Sequence, residues 1–229
     1  MKNLNKKIIF TFIFSLLGLM ALQIPVSKIL GANQNFTFFD FFAPTTGLFL
    51  NSTFGATSVI LVKIFNLMVI QKTIDLVSLF RLLPLPLAAF YFGSKSKFKA
   101  LIAGLCIILF IIHPIGKQAW IYSLYWLIPI FTSFFPKRLF LRSLGSTFTA
   151  HAAGSTIFLY TVKLTPAIWL SLIPITLVER ISFAIGIYLG YFIFNFSLNY
   201  LINSLNLRSI KFLIQKNYLP SKQFLLKYS

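Results

Sequence analysis

Residues 145–160 read GSTFTAHAAGSTIFLY, and residues 177–195 read LVERISFAIGIYLGYFIFN. Both stretches are long and apolar, which predicts helices, yet both carry polar groups at regular spacing. In the first stretch Thr147, His151 and Ser155 recur at every fourth position, so a helix places them on one stripe. The chain therefore has a polar seam inside a segment that otherwise suits a hydrocarbon environment.

The second stretch repeats this feature with charged residues. Glu179, Ser182, Gly186 and Gly190 share one helical face, and Arg180 lies about 100° away from it by the helical period. A charged side chain at mid-helix costs about 2.5–3.5 kcal/mol on membrane insertion scales. We therefore expect these groups to face other helices or a wet cavity rather than lipid.

The composition of the chain indicates an integral membrane protein. Of its 229 residues 58% are hydrophobic and only 10% are charged, with a mean hydropathy of +0.85, whereas soluble domains carry about 25% charged residues. The formal net charge of +18 does not indicate nucleic-acid binding, because the cations occur in short clusters between apolar runs. A single cysteine, Cys106, excludes an intrachain disulfide and a multi-cysteine metal site. We expect no metal and no cofactor.

The apolar runs predict an all-α polytopic protein with a bundle of about six to eight transmembrane helices. The number of spans depends on the segment 38–50, which is short enough to be re-entrant. Residues 1–203 would form the bundle and residues 204–229 a basic cytoplasmic tail. The predicted spans are 8–26, 38–50, 54–70, 73–92, 100–115, 119–135, 145–162 and 174–200, with a proline-bounded connector before the last.

Positive charge sets the expected orientation. Most of the 21 Lys and Arg residues lie near the N-terminus, in loops around Lys97 and Arg138, and in the tail. Cytoplasmic loops of membrane proteins carry an excess of Lys and Arg. We therefore expect both termini to be cytoplasmic, in a multi-pass protein of the cytoplasmic membrane.

One part of the chain resembles a known transporter family. Residues 39–67, FDFFAPTTGLFLNSTFGATSVILVKIFNL, are similar to the substrate-binding (S) component of energy-coupling-factor vitamin transporters. Residues 73–93 resemble the fourth helix of that family, and residues 166–195 resemble its last loop and helix. The matching features of the first stretch, an acid near the end of a short second helix followed by a broken entry into the third, are Asp40, Pro44, Gly47, Asn51 and Gly55.

The resemblance implies a protein that captures a vitamin or a similar small molecule from outside the cell. It would then dock on a transmembrane coupling subunit driven by ATPase subunits. The family has six core helices, so the hairpin 100–135 would be an addition in this chain. The small residues Ser15, Gly18 and Ala21 of the first helix offer a surface for close approach of such a partner.

The expected substrate site lies where polar groups of different helices can meet at similar depth. Each group also has an ordinary structural interpretation: Glu179 can pair with Arg180, His151 or Lys163, hydroxyl groups can bond between helices, and an aromatic residue can belong to an interfacial belt. The predicted substrate-binding residues are Asp40, Trp126, Thr147, His151, Ser155 and Glu179.

Two other classes of function stay open from the sequence. The first is an intramembrane enzyme, since His151, Ser155 and Glu179 are the residue types of a nucleophile, base and acid set. The chain contains no Gly-x-Ser-x-Gly, no His-Glu-x-x-His and no phosphate-binding glycine loop, so we expect that it is not an enzyme. The second is a membrane scaffold or assembly protein without a ligand. A polar cavity open to the outside favours substrate capture, whereas a closed, tightly packed centre favours a scaffold.

Overall fold

The computed structural model describes residues 2–28, 35–69, 76–205, 211, 213, 214 and 216–219, with the side chains of 2–6, 27, 28, 35 and 77 outside the description. The described chain is helical apart from a short antiparallel ribbon, in which Pro25 pairs with Thr37. The α-helices are α1 Lys2–Leu22, α2 Phe38–Phe42, α3 Thr46–Leu50, α4 Ser52–Val69, α5 Leu76–Phe80, α6 Pro84–Gly93, α7 Ala100–Ile112, α8 Pro114–Gln118, α9 Leu127–Thr132, α10 Leu139–Thr161 and α11 Pro166–Ser204. The strands are β1 Pro25–Lys28 and β2 Asn35–Thr37, and 3₁₀ turns cover Ala43–Thr45, Lys97–Lys99, Trp120–Trp126 and Lys216–Tyr218. The predicted all-α class is confirmed.

Helix α10 is the central element, and it contains the polar seam of residues 145–160. It packs against α6, α7, α9 and α11. Its small side chains permit close approach: the Ser146 hydroxyl donates to the Ala88 carbonyl of α6 at 2.8 Å, and a methyl group at Gly145 would collide with the Tyr91 ring. The Ser146 hydroxyl thus joins α10 to α6, as small hydroxylated residues do in helix packing.

Helix α11 corrects the predicted boundary of the last span. The expected connector before residue 174 is helical, because α11 begins at Pro166 and runs for 39 residues with Pro174 inside it. Pro166 is well suited to the first helical position, where its missing N–H has no intrahelical acceptor, and the Thr165 hydroxyl accepts from the Ile168 N–H at 3.4 Å. At 1.5 Å per residue the helix is about 58 Å long.

Two other predicted spans are interrupted. In the segment 73–92, whose residues 73–75 including Asp75 lie outside the described residues, α5 and α6 are separated by a turn that ends at Pro84. The segment 119–135 forms a 3₁₀ turn followed by the short helix α9 rather than one continuous helix. In contrast, the break near Asn51 is confirmed: this residue has a positive φ of 86°, and its side-chain oxygen caps α4 by accepting from the Thr53 N–H at 3.1 Å.

The described part of the chain has two helices that are long and apolar enough to cross a membrane, Ser52–Val69 and Pro166–Ser204. Shorter apolar helical segments accompany them at Lys7–Leu22, Phe38–Leu50, Ser78–Gly93 and Trp120–Thr132. Large apolar side chains are exposed along the outer faces of these elements, such as Phe12 at 65%, Met68 at 66% and Ile193 at 61%.

The small residues of α1 contribute to packing inside this chain, and their expected role as a partner surface stays a prediction. A methyl group at Gly18 would lie 2.8 Å from the Phe39 ring and 3.0 Å from Val62. Ala21 is buried, and the Ser15 hydroxyl donates to the Thr11 carbonyl at 2.8 Å. The close-approach surface is therefore occupied by α2 and α4.

Two cations, Lys99 and Arg142, are buried at one end of the bundle. The Lys99 ammonium donates to the Ser94 carbonyl at 3.2 Å and lies 4.3 Å from the centre of the Tyr91 ring. Arg142 donates to the same Ser94 carbonyl at 3.2 Å. This shared acceptor places the loop after α6 and the start of α10 at the same end of the bundle.

The predicted tail 204–229 lies mostly outside the described residues. Its described part packs against the bundle, where Leu213 and Ile214 are buried. The Tyr218 hydroxyl donates to the Pro136 carbonyl at 3.3 Å, and its ring meets Tyr191 edge-on at 5.9 Å. This part of the tail therefore packs at the end of the bundle where Arg142 is buried, since Arg142 also donates to the Pro136 carbonyl.

Lys99 gives a pH-dependent stability that can be measured. Burial of its ammonium, with repulsion from Arg142, lowers the pKa of Lys99 from 10.5 to about 7. Between these values the unfolded chain binds one proton more than the folded chain, so stability rises as pH rises. From pH 7 to 9 we expect the free energy of unfolding to rise by about 2 kcal/mol, or roughly 5 °C in melting temperature.

Thermal unfolding in detergent at pH 7 and pH 9 measures this gain. The Lys99→Met variant should lack it, whereas Lys97→Met, at an exposed lysine, should keep it. Equal pH dependence of the melting temperature in both variants would contradict the assignment.

Candidate functional site

A cavity of about 260 Å³ lies between α2, α4, α6, α10 and α11. Its wall on α11 extends from Trp169 to Ile187, and its wall on α10 extends from Thr147 to Phe158. The cavity therefore lies against the parts of α10 and α11 that contain Thr147, His151, Ser155 and Glu179.

The structure brings five of the six predicted substrate-binding residues to this cavity. Trp126 is the exception: it is fully buried and stands behind His151 rather than in the wall. Trp126 contacts His151 instead of lining the cavity, and its expected contact with a ligand stays a prediction. The five residues in the wall are Asp40, Thr147, His151, Ser155 and Glu179.

His151 is held by hydrogen bonds on both ring nitrogens. The Trp126 indole N–H donates to Nδ1 at 3.1 Å. An indole N–H can only donate, so Nδ1 carries no proton and the neutral ring has its proton on Nε2. Nε2 then donates to the Tyr122 hydroxyl at 2.8 Å, with the Ser155 hydroxyl at 3.1 Å. The hydrogen-bond network thus engages both ring nitrogens of His151 and fixes the orientation of its ring in the cavity wall.

Asp40 combines a structural contact with a position in the wall. One carboxylate oxygen accepts from the Thr37 backbone N–H at 2.6 Å and from the Thr37 hydroxyl at 3.1 Å, which caps the start of α2. Lys63 of α4 also lines the cavity, and its ammonium donates to the Arg81 carbonyl at 3.3 Å. The walls formed by α2 and α4 therefore supply charge of both signs.

Glu179 pairs with Arg180, one of the alternatives left open by the sequence. Glu179 Oε2 accepts from the Arg180 guanidinium at 2.7 Å, and the two side chains are 28% and 6% exposed respectively. The guanidinium lies 5.0 Å from the Phe36 ring centre and 4.5 Å from the Phe183 ring centre. Its Nε is buried without a hydrogen-bond partner. Sequence reasoning missed Arg180 as a wall residue because it considered only the face that carries Glu179.

Trp169 is the second buried donor in the wall that lacks a partner. The residue is 1% exposed, and its Nε1 has no acceptor within the described structure. It follows the same helical stripe as Arg180, which is eleven residues later. The sequence did not predict that Trp169 and Arg180 share one helical stripe, because the connector predicted before residue 174 placed Trp169 outside the helix.

The site has no arrangement that suits a metal ion. Within the described residues, no three His, Cys, Asp or Glu side chains come close enough together to bind one. Asp40 and Glu179 are instead engaged by Thr37 and Arg180. The chemistry of this site is hydrogen bonding and ion pairing around a cavity.

Comparison of the chain with family models, curated proteins and solved structures found no match.

Proposed function

We propose that this chain is a membrane-embedded capture protein, which binds a small organic nutrient in the cavity between α10 and α11. The observation that carries this proposal is a cavity between helices whose outer surface is apolar, with several polar and charged side chains set into a largely apolar wall. Partner subunits would complete import by supplying a coupling subunit and ATP hydrolysis. The resemblance of residues 39–67 to the S component of vitamin transporters supports the same assignment.

The proposal includes a many-span bundle in the cytoplasmic membrane. Large exposed apolar patches are rare on soluble monomers, whereas here most helices expose large aliphatic or aromatic side chains. Lys95, Lys97, Lys137 and Arg138 are exposed near the end where Ser94 and Arg142 meet. That end of the bundle would face the cytoplasm, in accordance with the positive-inside rule.

The geometry of His151 disfavours the enzymatic alternative. A histidine acts as general base on a serine through an unprotonated nitrogen, with an acid orienting the other nitrogen. Here the nitrogen nearest Ser155 carries the proton, and the other nitrogen accepts from Trp126. Glu179 is paired with Arg180 instead of His151. Proton abstraction from Ser155 is not supported by this arrangement.

A scaffold protein without a ligand would be expected to have a tightly packed interior with its buried polar groups paired. A scaffold without a ligand has no need for a cavity, and unpaired buried donors destabilise it by about 1–3 kcal/mol each. The cavity wall contains two such donors, on Trp169 and Arg180. A bound molecule with acceptor groups would compensate both, which favours ligand capture.

Filling the cavity tests the proposal. Gly154 lines the cavity, and a methyl group there would meet only Pro84, at 3.7 Å. We expect Gly154→Leu to fold with a normal melting temperature and to lose at least about tenfold of any co-purifying small molecule, since its side chain occupies the binding volume. Mass spectrometry of small molecules released from the detergent-purified protein measures this loss.

The matched control is Gly190→Leu, in helix α11. A methyl group at Gly190 meets nothing within 4 Å, so the added side chain points away from the cavity and the protein. This variant should retain the co-purifying compound in full. If the wild-type protein carries no compound beyond that found with an unrelated membrane protein, or if Gly154→Leu retains it, substrate capture in this cavity is refuted.

A further inference from the structure

The charged end of the cavity carries a donor that specifies the chemistry of its occupant. We propose that the captured molecule is a small monocarboxylic acid whose carboxylate binds the Arg180 guanidinium. This inference rests on the proposed capture function and adds the class of substrate.

The first support is the state of Arg180. The side chain is 6% exposed and one of its nitrogens is engaged by Glu179 at 2.7 Å, but the Nε–H has no partner. The rings of Phe36 and Phe183 hold the guanidinium in place. A planar guanidinium held in one orientation, with an N–H that lacks a partner, is suited to donate to a planar carboxylate whose oxygens lie in the plane of the donors.

The second support is the charge balance of the wall. The cations that line the cavity are Lys63, Arg81 and Arg180, and the acids are Asp40 and Glu179. The formal charge of the described wall is therefore one positive unit in excess. A monocarboxylate neutralises this excess, whereas a phosphate ester, with a charge of about −1.5 to −2 at neutral pH, would leave the cavity negative.

The third support concerns the other end of the same molecule. Trp169 lies eleven residues before Arg180, about 16 Å along α11, and its indole N–H also lacks an acceptor. Between them the wall is formed by Leu172, Ile175 and Thr176. An elongated acid with a neutral oxygen acceptor at its far end would satisfy both donors and place its apolar part against the aliphatic residues.

The experiment begins with the compound that the wild-type protein carries when purified from cells grown in rich medium. Small molecules released by heat are identified by mass spectrometry against the Gly154→Leu preparation. We expect the enriched compound to contain one carboxylate. This acid and its primary amide, made by coupling to ammonia, are then titrated by calorimetry into wild type, Arg180→Gln and the exposed-site control Arg138→Gln.

We expect wild type and Arg138→Gln to bind the acid about 10–100-fold more tightly than the amide, as for a charge-assisted hydrogen bond. In Arg180→Gln the two affinities should become nearly equal. If Arg180→Gln does not fold, the ratio of acid to amide in the wild-type protein decides the question alone. A ratio near one in wild type overturns the proposal.

The possible failures are distinguishable from one another. An enriched compound that is neutral, cationic or a phosphate ester, and that Gly154→Leu loses, overturns the carboxylate assignment and leaves substrate capture standing. Equal loss of acid selectivity in Arg138→Gln also overturns it, because the effect would then come from overall charge. A wild-type protein that carries no enriched compound overturns the capture function itself, and this inference with it.

Discussion

The variant Gly47→Ala is expected to lose its native fold or to melt at least about 10 °C below the wild-type protein. A methyl group at Gly47 would collide with the Ala89 carbonyl of α6 and would lie 2.8 Å from the Gly93 backbone nitrogen. Gly55 of α4 approaches within the same junction, where its added methyl would lie 2.5 Å from the Gly47 Cα. Backbone atoms cannot rotate away as side chains do, so α3, α4 and α6 would have to separate.

The magnitude follows from the number of helices that meet at Gly47. Overpacking a core costs about 1–3 kcal/mol and more where the backbone must shift, and about 3 kcal/mol corresponds to roughly 10 °C for a chain of this size. Thermal unfolding in detergent, followed by size-exclusion chromatography, measures the loss.

The control for this prediction is the same substitution at Gly104 of α7. A methyl group there meets nothing within 4 Å, and alanine is favoured over glycine inside a helix by about 0.5–1 kcal/mol. Gly104→Ala should therefore be as stable as the wild-type protein or slightly more stable. Similar melting temperatures for Gly47→Ala and Gly104→Ala would show that the three helices do not meet as closely as described.

The polar seam was the most informative feature of the sequence, because its physical basis is local. A polar group every fourth residue in an apolar helix leaves one face that must turn inward, and this applies whatever the neighbouring helices are. Thr147, His151 and Ser155 accordingly reach one cavity, together with Glu179. Their role in binding a ligand stays a prediction.

The partners of these residues could not be derived in the same way. The contact of Trp126 with His151 joins residues 25 positions apart, and the contact of Phe36 with Arg180 joins α11 to the end of the ribbon. Such contacts depend on how helices pack, and periodicity within one segment does not determine the neighbour. The internal use of Gly18, against Phe39 and Val62, is another case of this kind.

Proline was the main source of error in the helix boundaries. The sequence predicts that a connector ends at Pro174, because proline removes one backbone donor and its ring crowds the preceding turn. In the structure α11 continues through Pro174, as membrane helices commonly do when neighbouring groups compensate. Pro84, in contrast, does begin a helix after a turn. A proline in the sequence is compatible both with a helix that continues through it and with a helix that begins at it. Tertiary packing decides between the two.

The second large effect is expected at Arg142, where a buried guanidinium joins three parts of the chain. Arg142 is 1% exposed. Its Nε donates to the Phe92 carbonyl at 2.9 Å, and another nitrogen donates to the Pro136 carbonyl at 2.8 Å. Phe92 is near the end of α6, where the last carbonyls lack intrahelical donors and the helix dipole favours a cation.

Arg142→Leu should therefore lower the free energy of unfolding by at least about 3 kcal/mol, since it leaves the Phe92, Ser94 and Pro136 carbonyls without this donor in a buried position. Removal of the Arg142 charge also relieves its repulsion of Lys99, so the pKa of Lys99 should rise in this variant and the pH-dependent gain in stability should shift to higher pH.

Arg142→Lys should recover only part of the loss, because one ammonium does not reproduce the planar fork that reaches several carbonyls. Arg138→Leu, at an exposed arginine four residues earlier, is the matched control and should change stability by less than about 0.5 kcal/mol. Thermal unfolding of the four proteins at pH 7 and pH 9 separates these effects: if Arg142→Leu and Arg138→Leu unfold at the same temperature, Arg142 does not join α6 to α10.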